Sequence, residues 1–488
     1  MLNEFRIQNF KRYIDQSIDL RPKVVVLVGP NSSGKSSLIK SILAFKQTYE
    51  DQRDHSGFLS KGAYVDIGPY NEYVYNHQIK KKSTFSFSIE KPKSRTRIHG
   101  LHFGACTLKI TQEESPQTGH GRLYEYSLFF PPNAQENSIS VNSRDLDIHI
   151  KFTRMQKSEE AYRITISRKL YELIVKDFAN SRDDIPSYEK IEKILSSGKI
   201  QAIRSNEGGM IPTLGSNKPF GAMNFLFNFL YFSLQDIHRL FYDDVTDGTF
   251  ALAALRDEPQ RSSPRTDEKL VVGARGENTT SVFMDFRQRA IKSGKNHTKT
   301  SEDFNRLENW VKRLKLTNSI EVSSWRDLVD LRVKMRRGHN SDSIADIGVG
   351  FSQAFPVLLQ LAVMPNETRI ILEQPELHLY PWAQKELGEI LCDEAKRGNK
   401  QLIIETHSEH VIRGIQTHVS RARVEGKQSV LTNDEVSILY ISQEGDVKNL
   451  KLNEYGEFEE SWPPGFFDQG LDAIDEILRN KTRPSFIN

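Results

Sequence analysis

The stretch Val24-Val-Val-Leu-Val-Gly-Pro-Asn-Ser-Ser-Gly-Lys-Ser-Ser37 constrains the fold more than any other part of the chain. The apolar run Val24 to Val28 reads as a buried strand. Gly29-x-x-x-x-Gly34-Lys35-Ser36 follows at once, and Leu38, Ile39, Ile42 and Leu43 then recur at helical spacing. Strand, glycine-rich loop and helix in that order are the setting in which this motif cradles phosphates. Gly29 and Gly34 let the backbone bend until its N–H groups face an anion, and the helix N-terminus adds its positive dipole end. Lys35 supplies a mobile charge for the β- and γ-phosphates, and Ser36 a hydroxyl for Mg²⁺. The predicted ATP cradle is therefore Gly29, Pro30, Asn31, Ser32, Ser33, Gly34, Lys35, Ser36 and Ser37.

At 488 residues the chain exceeds one ordinary domain, so two or three lobes are expected. A net charge of +3 neither demands nor excludes a nucleic-acid partner. Cys106 and Cys392 alone can build neither a disulfide framework nor a cysteine zinc site, and a reducing cytoplasm is expected. Met1 to Arg6 has no apolar core of a secretory signal. The most apolar runs, Phe220–Leu234 and Ala354–Met364, fall short of the roughly 18 residues of a membrane span, so no membrane partner is expected.

Phe5–Phe10 and Ile18–Leu20 read as short strands ahead of the P-loop, and Tyr64–Gly68 as another after its helix. Thr84–Ile89, Leu101–Ile110, Leu123–Phe130, Ile148–Phe152 and Tyr162–Ile166 alternate between turn-forming residues, which predicts an antiparallel meander. Leu170–Phe178, Tyr188–Leu195, Phe225–Leu240 and Phe304–Leu314 carry helical periodicity instead. A loop-like segment from Arg287 to Lys299 holds Arg287, Arg289, Lys292, Lys295 and Lys299 without an acid, which suits a phosphate contact or a solvated surface.

Two further apolar strands end in carboxylates. Arg369-Ile-Ile-Leu-Glu373 leads into Gln374-Pro375-Glu376, and a strand-terminal acid after a P-loop is the Mg²⁺-holding element, so Ser36 and Glu373 are the predicted metal residues. Gln401-Leu-Ile-Ile404 delivers Glu405-Thr406-His407-Ser408-Glu409-His410. His407 and His410 lack the spacing of a helix-borne zinc pair, so His407 is preferred as a γ-phosphate sensor. Gly348-Val349-Gly350-Phe351-Ser352-Gln353 precedes the apolar run from Ala354 and offers either a second anion site or a plain helix cap at Ser352.

These four elements, in this order, resemble the ABC-type ATPases of the SMC/RecF/OLD group. Phe5-Arg-Ile-Gln-Asn-Phe10 is similar to the opening of such chains, Glu373–Leu379 to their Walker B segment, Glu405–Ser408 to their switch histidine, and Gly348–Gln353 to their signature. Leu255-Arg-Asp-Glu-Pro-Gln-Arg261, Val272-Gly-Ala-Arg-Gly-Glu277 and Trp462–Phe467 look like segments of stand-alone bacterial ATPases of this group. The resemblance implies an α/β ABC-type head with an antiparallel β subdomain and a mainly helical insertion. It implies lobes at 1–167, 168–334 and 335–488, with the last bearing signature, Walker B and switch histidine. It further implies a homodimer or larger homo-oligomer that sandwiches ATP, so that Gly350, Ser352 and Gln353 cap the ATP of a neighbouring subunit. Chains of this kind look like the ATPase subunits of phage-defence systems such as Septu and PARIS, which implies a separate effector protein. Direct action on DNA, as in RecF and SMC proteins, is the alternative. One departure matters: the family's catalytic glutamate is replaced by Gln374, which can position water but cannot take its proton. Glu376 is the available substitute, and Gln78 a weak candidate for the family's Q-loop. Slow hydrolysis is expected, with Gln374, Glu376 and His407 as the catalytic candidates.

Overall fold

The computed structural model describes residues 2–51, 58–90, 105–130, 148–155, 161–172, 187–196, 201–204, 212–214, 239, 241–264, 271–292, 299–335, 340–426, 428–463 and 477–479. The chain forms two compact units, one of Met1–Arg21 with Ser37–Thr249, the other of Pro22–Ser36 with Phe250–Asn488. The P-loop strand groups with the second half of the chain.

The first unit is built on a sheet. Strands β1 (Leu2–Phe10) and β2 (Tyr13–Asp19) open the chain, ahead of β3 (Val24–Val28) of the other unit. They join β4 (Ser83–Glu90), β5 (Ala105–Glu114), β6 (Gly121–Phe130), β7 (Ile148–Arg154), β8 (Ala161–Ile166), β9 (Gln201–Arg204) and β10 (Pro212–Leu214). The order is β10-β9-β8-β7-β6-β5-β4-β1-β2, with each neighbouring pair antiparallel. The predicted meander is thus present, and its buried face holds Phe5, Phe85, Phe87, Leu108, Tyr126 and Phe152. Tyr64–Gly68 is not a strand; only an isolated bridge, Lys61 to Asp66, forms there. The N–H groups of Tyr64 and Val65 donate to Gln47 Oε1 at 3.3 and 3.1 Å, so a side chain takes the bonds a ladder would have used.

The second unit carries a six-stranded sheet in the order β11-β16-β17-β3-β18-β19. Its new members are β11 (Thr249–Leu252), β16 (Arg369–Glu373), β17 (Gln401–Glu405), β18 (Val436–Ile441) and β19 (Val447–Asn449). Strands β16, β17, β3 and β18 run parallel. All of Val24–Val28 is buried, as a parallel strand covered on both faces requires. Of the longer helices, α1 (Lys35–Glu50) from Ser37 on and α2 (Tyr188–Ser196) belong to the first unit, and α3 (Thr279–Lys292), α4 (Lys299–Arg313), α5 (Val349–Val363), α6 (Pro381–Arg397) and α7 (Glu409–Ser420) to the second. The β16–β17 and β17–β18 crossovers contain α6 and α7 respectively, and α5 contributes Phe355, Val357, Leu358 and Leu361 to the same core as Val24, Ile370 and Ile404.

The stretch 168–334 holds helices among its described residues but also β12 (Ser263–Pro264) and the hairpin β13 (Ser319–Trp325) and β14 (Leu328–Lys334), extended by β15 (Asp342–Ser343). Nearly all of Phe225–Leu240 lies outside the described residues. The basic segment is not one loop: Arg287, Arg289 and Lys292 ride on α3 and Lys299 opens α4, while Lys295 lies outside the described residues. The first half of α3 is buried almost continuously, from Thr279 to Met284 and at Phe286, ahead of those cations. Cys106 and Cys392 are both free and buried. Among the described residues no helix is long and apolar enough to cross a membrane. The described residues are thus mixed α/β, with the predicted antiparallel sheet in the first unit and a largely parallel sheet around the P-loop strand in the second.

Candidate nucleotide site

The site lies at the C-terminal tips of β3, β17 and β16. Parallel pairing puts Leu27 beside Glu405, and Glu405 beside Glu373, so two strand-ending carboxylates stand at one level next to the P-loop strand. Ligands of open α/β sheets bind at such carboxyl ends.

Gly29 leaves β3 at φ +146°, and a Cβ there would meet the Ile441 carbonyl oxygen at 2.2 Å. Only glycine fits, so the loop can turn back without displacing β18. Ser32 adopts φ +59° and Gly34 φ +110°, completing the bend that ends at the first turn of α1. Asn31 and Ser32 are exposed, Pro30, Gly34, Ser36 and Ser37 half-buried, and Ser33 buried. Lys35 is 3% exposed. Its Nζ donates to the carbonyls of Gly29 at 3.0 Å and Pro30 at 2.7 Å, with Ser33 Oγ at 3.5 Å. Burial lowers the Lys35 pKa, while the Glu405 carboxylate acts the other way.

Ser36 Oγ donates to Glu405 Oε1 at 2.8 Å. Glu405, 3% exposed, is thus the acid in contact with the P-loop hydroxyl, one strand closer to β3 than the predicted Glu373. The sequence carries the signal for it, since Gln401–Glu405, like Arg369–Glu373, is an apolar strand ended by an acid.

Gln374 follows Glu373 in a left-handed turn, φ +43°, and its N–H donates to the Glu405 carbonyl at 2.7 Å. The carbonyls of Glu373 and Gln374 accept from the Arg256 guanidinium at 2.9 and 3.1 Å. Glu376 is 6% exposed and turned toward the β17 tip. Its Oε1 accepts from Thr406 Oγ1 at 2.6 Å and from the His407 N–H at 3.2 Å. Burial raises the Glu376 pKa against those hydrogen bonds and the pull of Arg256. The His407 pKa is lowered, first by burial and then by the charge of Lys35, which favours the neutral imidazole.

Gly348 to Gln353 sit at the start of α5. The cap of that helix is Gly348, without a side-chain cap bond, so Ser352 is not the predicted N-cap. Ser352 lies within the first turn, 5% exposed, and its Oγ donates to the Val349 carbonyl at 3.0 Å. The Gly348 carbonyl accepts from the Phe351 N–H at 3.3 Å, so the backbone itself closes the first turn. Gly350 packs close enough to the His378 carbonyl that an added Cβ would stand 3.0 Å from its oxygen. Gln353 is half-buried, and Gln78 is exposed in the first unit beside a short 3₁₀ turn. Among the described residues no cluster of three or more His, Cys, Asp or Glu is arranged to hold a metal.

Residues 431–477 match a family described as a protein of unknown function, DUF3696. Two curated relatives, the DNA replication and repair protein RecF from two strains of Staphylococcus epidermidis, are each 26% identical over 153 residues, 30% of this chain and 37% of theirs. The chain thus spans little more than a third of the length of those relatives. Among solved structures, an Smc head domain with an extended coiled coil bound to the C-terminal domain of ScpA, derived from Pyrococcus furiosus, aligns with 98% of this chain and 99% of its own at 12% identity and TM-score 0.40. An SMC head domain from Thermotoga maritima aligns with 93% of this chain and 99% of its own at 10% identity and TM-score 0.35. The family described as AAA ATPase domain matches residues 1–412. That match spans most of the 488 residues, and the chain belongs to the AAA ATPase domain family.

Proposed function

We propose that this ATPase is a slow switch: it binds Mg·ATP, pairs two heads across the nucleotide, and controls a separate effector protein in antiviral defence. The observation that carries the slow turnover is the fate of the carboxylates beyond Glu373. The next residue is an amide, and Oε1 of Glu376 is taken by the Thr406 hydroxyl and the His407 N–H. Hydrolysis needs an in-line water and relief of its proton as attack proceeds. Gln374 can serve the first need through its carbonyl and not the second.

The donors at the P-loop suit Mg²⁺, because Ser36, Glu405 and Glu373 offer hydroxyl and carboxylate oxygens, the hard ligands that ion takes. These three would hold it, and when bound it would neutralise charge on the phosphate oxygens. Lys35 releases the Gly29 and Pro30 carbonyls to meet phosphate instead, with the loop N–H groups around it. His407, kept neutral, serves as a hydrogen-bonding sensor of the terminal phosphate. Pairing of heads would place Gly350, Ser352 and Gln353 of one subunit over the nucleotide of another. The effector and the defence setting rest on the resemblance to phage-defence ATPase subunits.

Gln374→Glu tests the reading, since general-base help is worth about 10²–10⁴-fold in rate. Single-turnover hydrolysis should accelerate at least about tenfold and the ATP-bound assembly should dissociate sooner. No acceleration refutes the slow-switch argument. The similarity to RecF favours a second reading, direct action on DNA. Duplex binding by the isolated chain, weakening steeply with salt, supports it; a co-purifying effector released on phage infection, without DNA, supports the first.

A further inference from the structure

Arg256 lies just beyond β11 and is 5% exposed. Its two terminal nitrogens hold the carbonyls of Glu373 and Gln374, and its Nε is buried without a hydrogen-bond partner among the described residues. The turn it grips is one that a non-glycine residue avoids unless its surroundings impose it. Gln374 is therefore held from two sides, by the Glu405 carbonyl on its N–H and by Arg256 on the carbonyls before and after it.

Arg256 has its own mount. The Ala253 N–H donates to the Ala274 carbonyl and the Asp257 N–H to the Arg275 carbonyl, both at 2.8 Å. Arg275 Nε lies 3.0 Å from Asp257 Oδ1. The segments Leu255–Arg261 and Val272–Glu277, two motifs to which no role attaches in the sequence, thus run against each other and carry one buried guanidinium to the Walker B tip. A guanidinium buried with one unmet donor is a costly way to stabilise a fold. Burial depresses its pKa to about 10, against the attraction of Glu376 and Glu373.

We infer that Arg256 is a positioning residue of the nucleotide site, fixing the directions in which Glu373 and Gln374 project by gripping the peptide carbonyls behind them. The inference rests on the ATPase reading for its effect on turnover and on geometry alone for its effect on the turn. Lysine cannot replace it, because a single ammonium does not present the planar fork that spans two carbonyls.

The test uses the full chain with Arg256→Lys, which keeps the charge, and Arg256→Met, which removes it. Two readouts are taken: amide hydrogen exchange of residues 372–377 without nucleotide, and single-turnover hydrolysis beside ATP affinity. Exchange should quicken at 372–377 while 401–405 stays protected. Hydrolysis should fall about 10- to 100-fold with ATP affinity held within about threefold, since small misplacements of reacting groups cost that much. Unchanged exchange in Arg256→Lys, faster exchange with unchanged hydrolysis, or affinity lost in step with hydrolysis each overturns the inference. A wild-type chain that binds no ATP sinks the ATPase reading, and exchange at 372–377 then decides alone whether Arg256 holds the turn.

Discussion

Removing the Glu376 carboxylate separates a clamp from a base. Oε1 accepts from the Thr406 hydroxyl and the His407 N–H, and Thr406 is fully buried. Glu376→Ala strands both donors, each costing about 1–3 kcal/mol, so a loss of about 2–6 kcal/mol is expected. Glu376→Gln keeps an acceptor oxygen in the same place and should cost far less. It also removes a carboxyl whose pKa burial has raised. A raised native pKa contributes stability that is fully present below the unfolded value of 4.5 and is lost as pH rises through the native pKa. The glutamine variant should therefore gain on wild type as pH rises above that value. Denaturant unfolding of the three proteins at a series of pH values rising from 4.5 measures both effects. Turnover of Glu376→Gln should stay within about threefold of wild type if the side chain only clamps, since loss of a general base costs 10²–10⁴-fold. A collapse of turnover in a stably folded Glu376→Gln protein would refute the clamp and make Glu376 the base.

The remaining expectations address the P-loop and the signature. Lys35→Ala removes the mobile charge of the cradle and should abolish ATP binding in equilibrium dialysis; wild-type affinity would sink the assignment. Gly29→Ala forces a Cβ to within 2.2 Å of the Ile441 carbonyl, so it should weaken ATP binding and lower the unfolding temperature together, as a paired melt and binding assay would show. Ser352→Arg should leave ATP binding to the single chain intact and block ATP-stabilised pairing in light scattering; normal pairing counts against signature residues acting in trans.

The order of elements was legible because it depends on short-range rules. An apolar run followed by Gly29, Gly34, Lys35 and Ser36 has few other uses, and the alternation through Thr84–Ile89 and Leu123–Phe130 needs only a half-buried sheet to make sense. Glu373 and Glu405 could both be read as strand-ending acids. What could not be read is which of them meets Ser36, because that is set by strand order: β17 lies between β16 and β3, and nothing local encodes which strand pairs with which. The same holds for Tyr64 and Val65, whose N–H groups were claimed by a glutamine on α1 rather than by a strand. Ser352 looked like a cap by residue type, yet the helix begins at Val349. The sequence by itself determined a P-loop ATPase of this family, through residues whose chemistry acts on their immediate neighbours. Only the tertiary structure decided that Glu405 takes Ser36, that Glu376 faces Thr406, and that Arg256 grips the turn at Gln374, because each contact joins side chains distant in sequence whose meeting depends on the packing of the whole sheet.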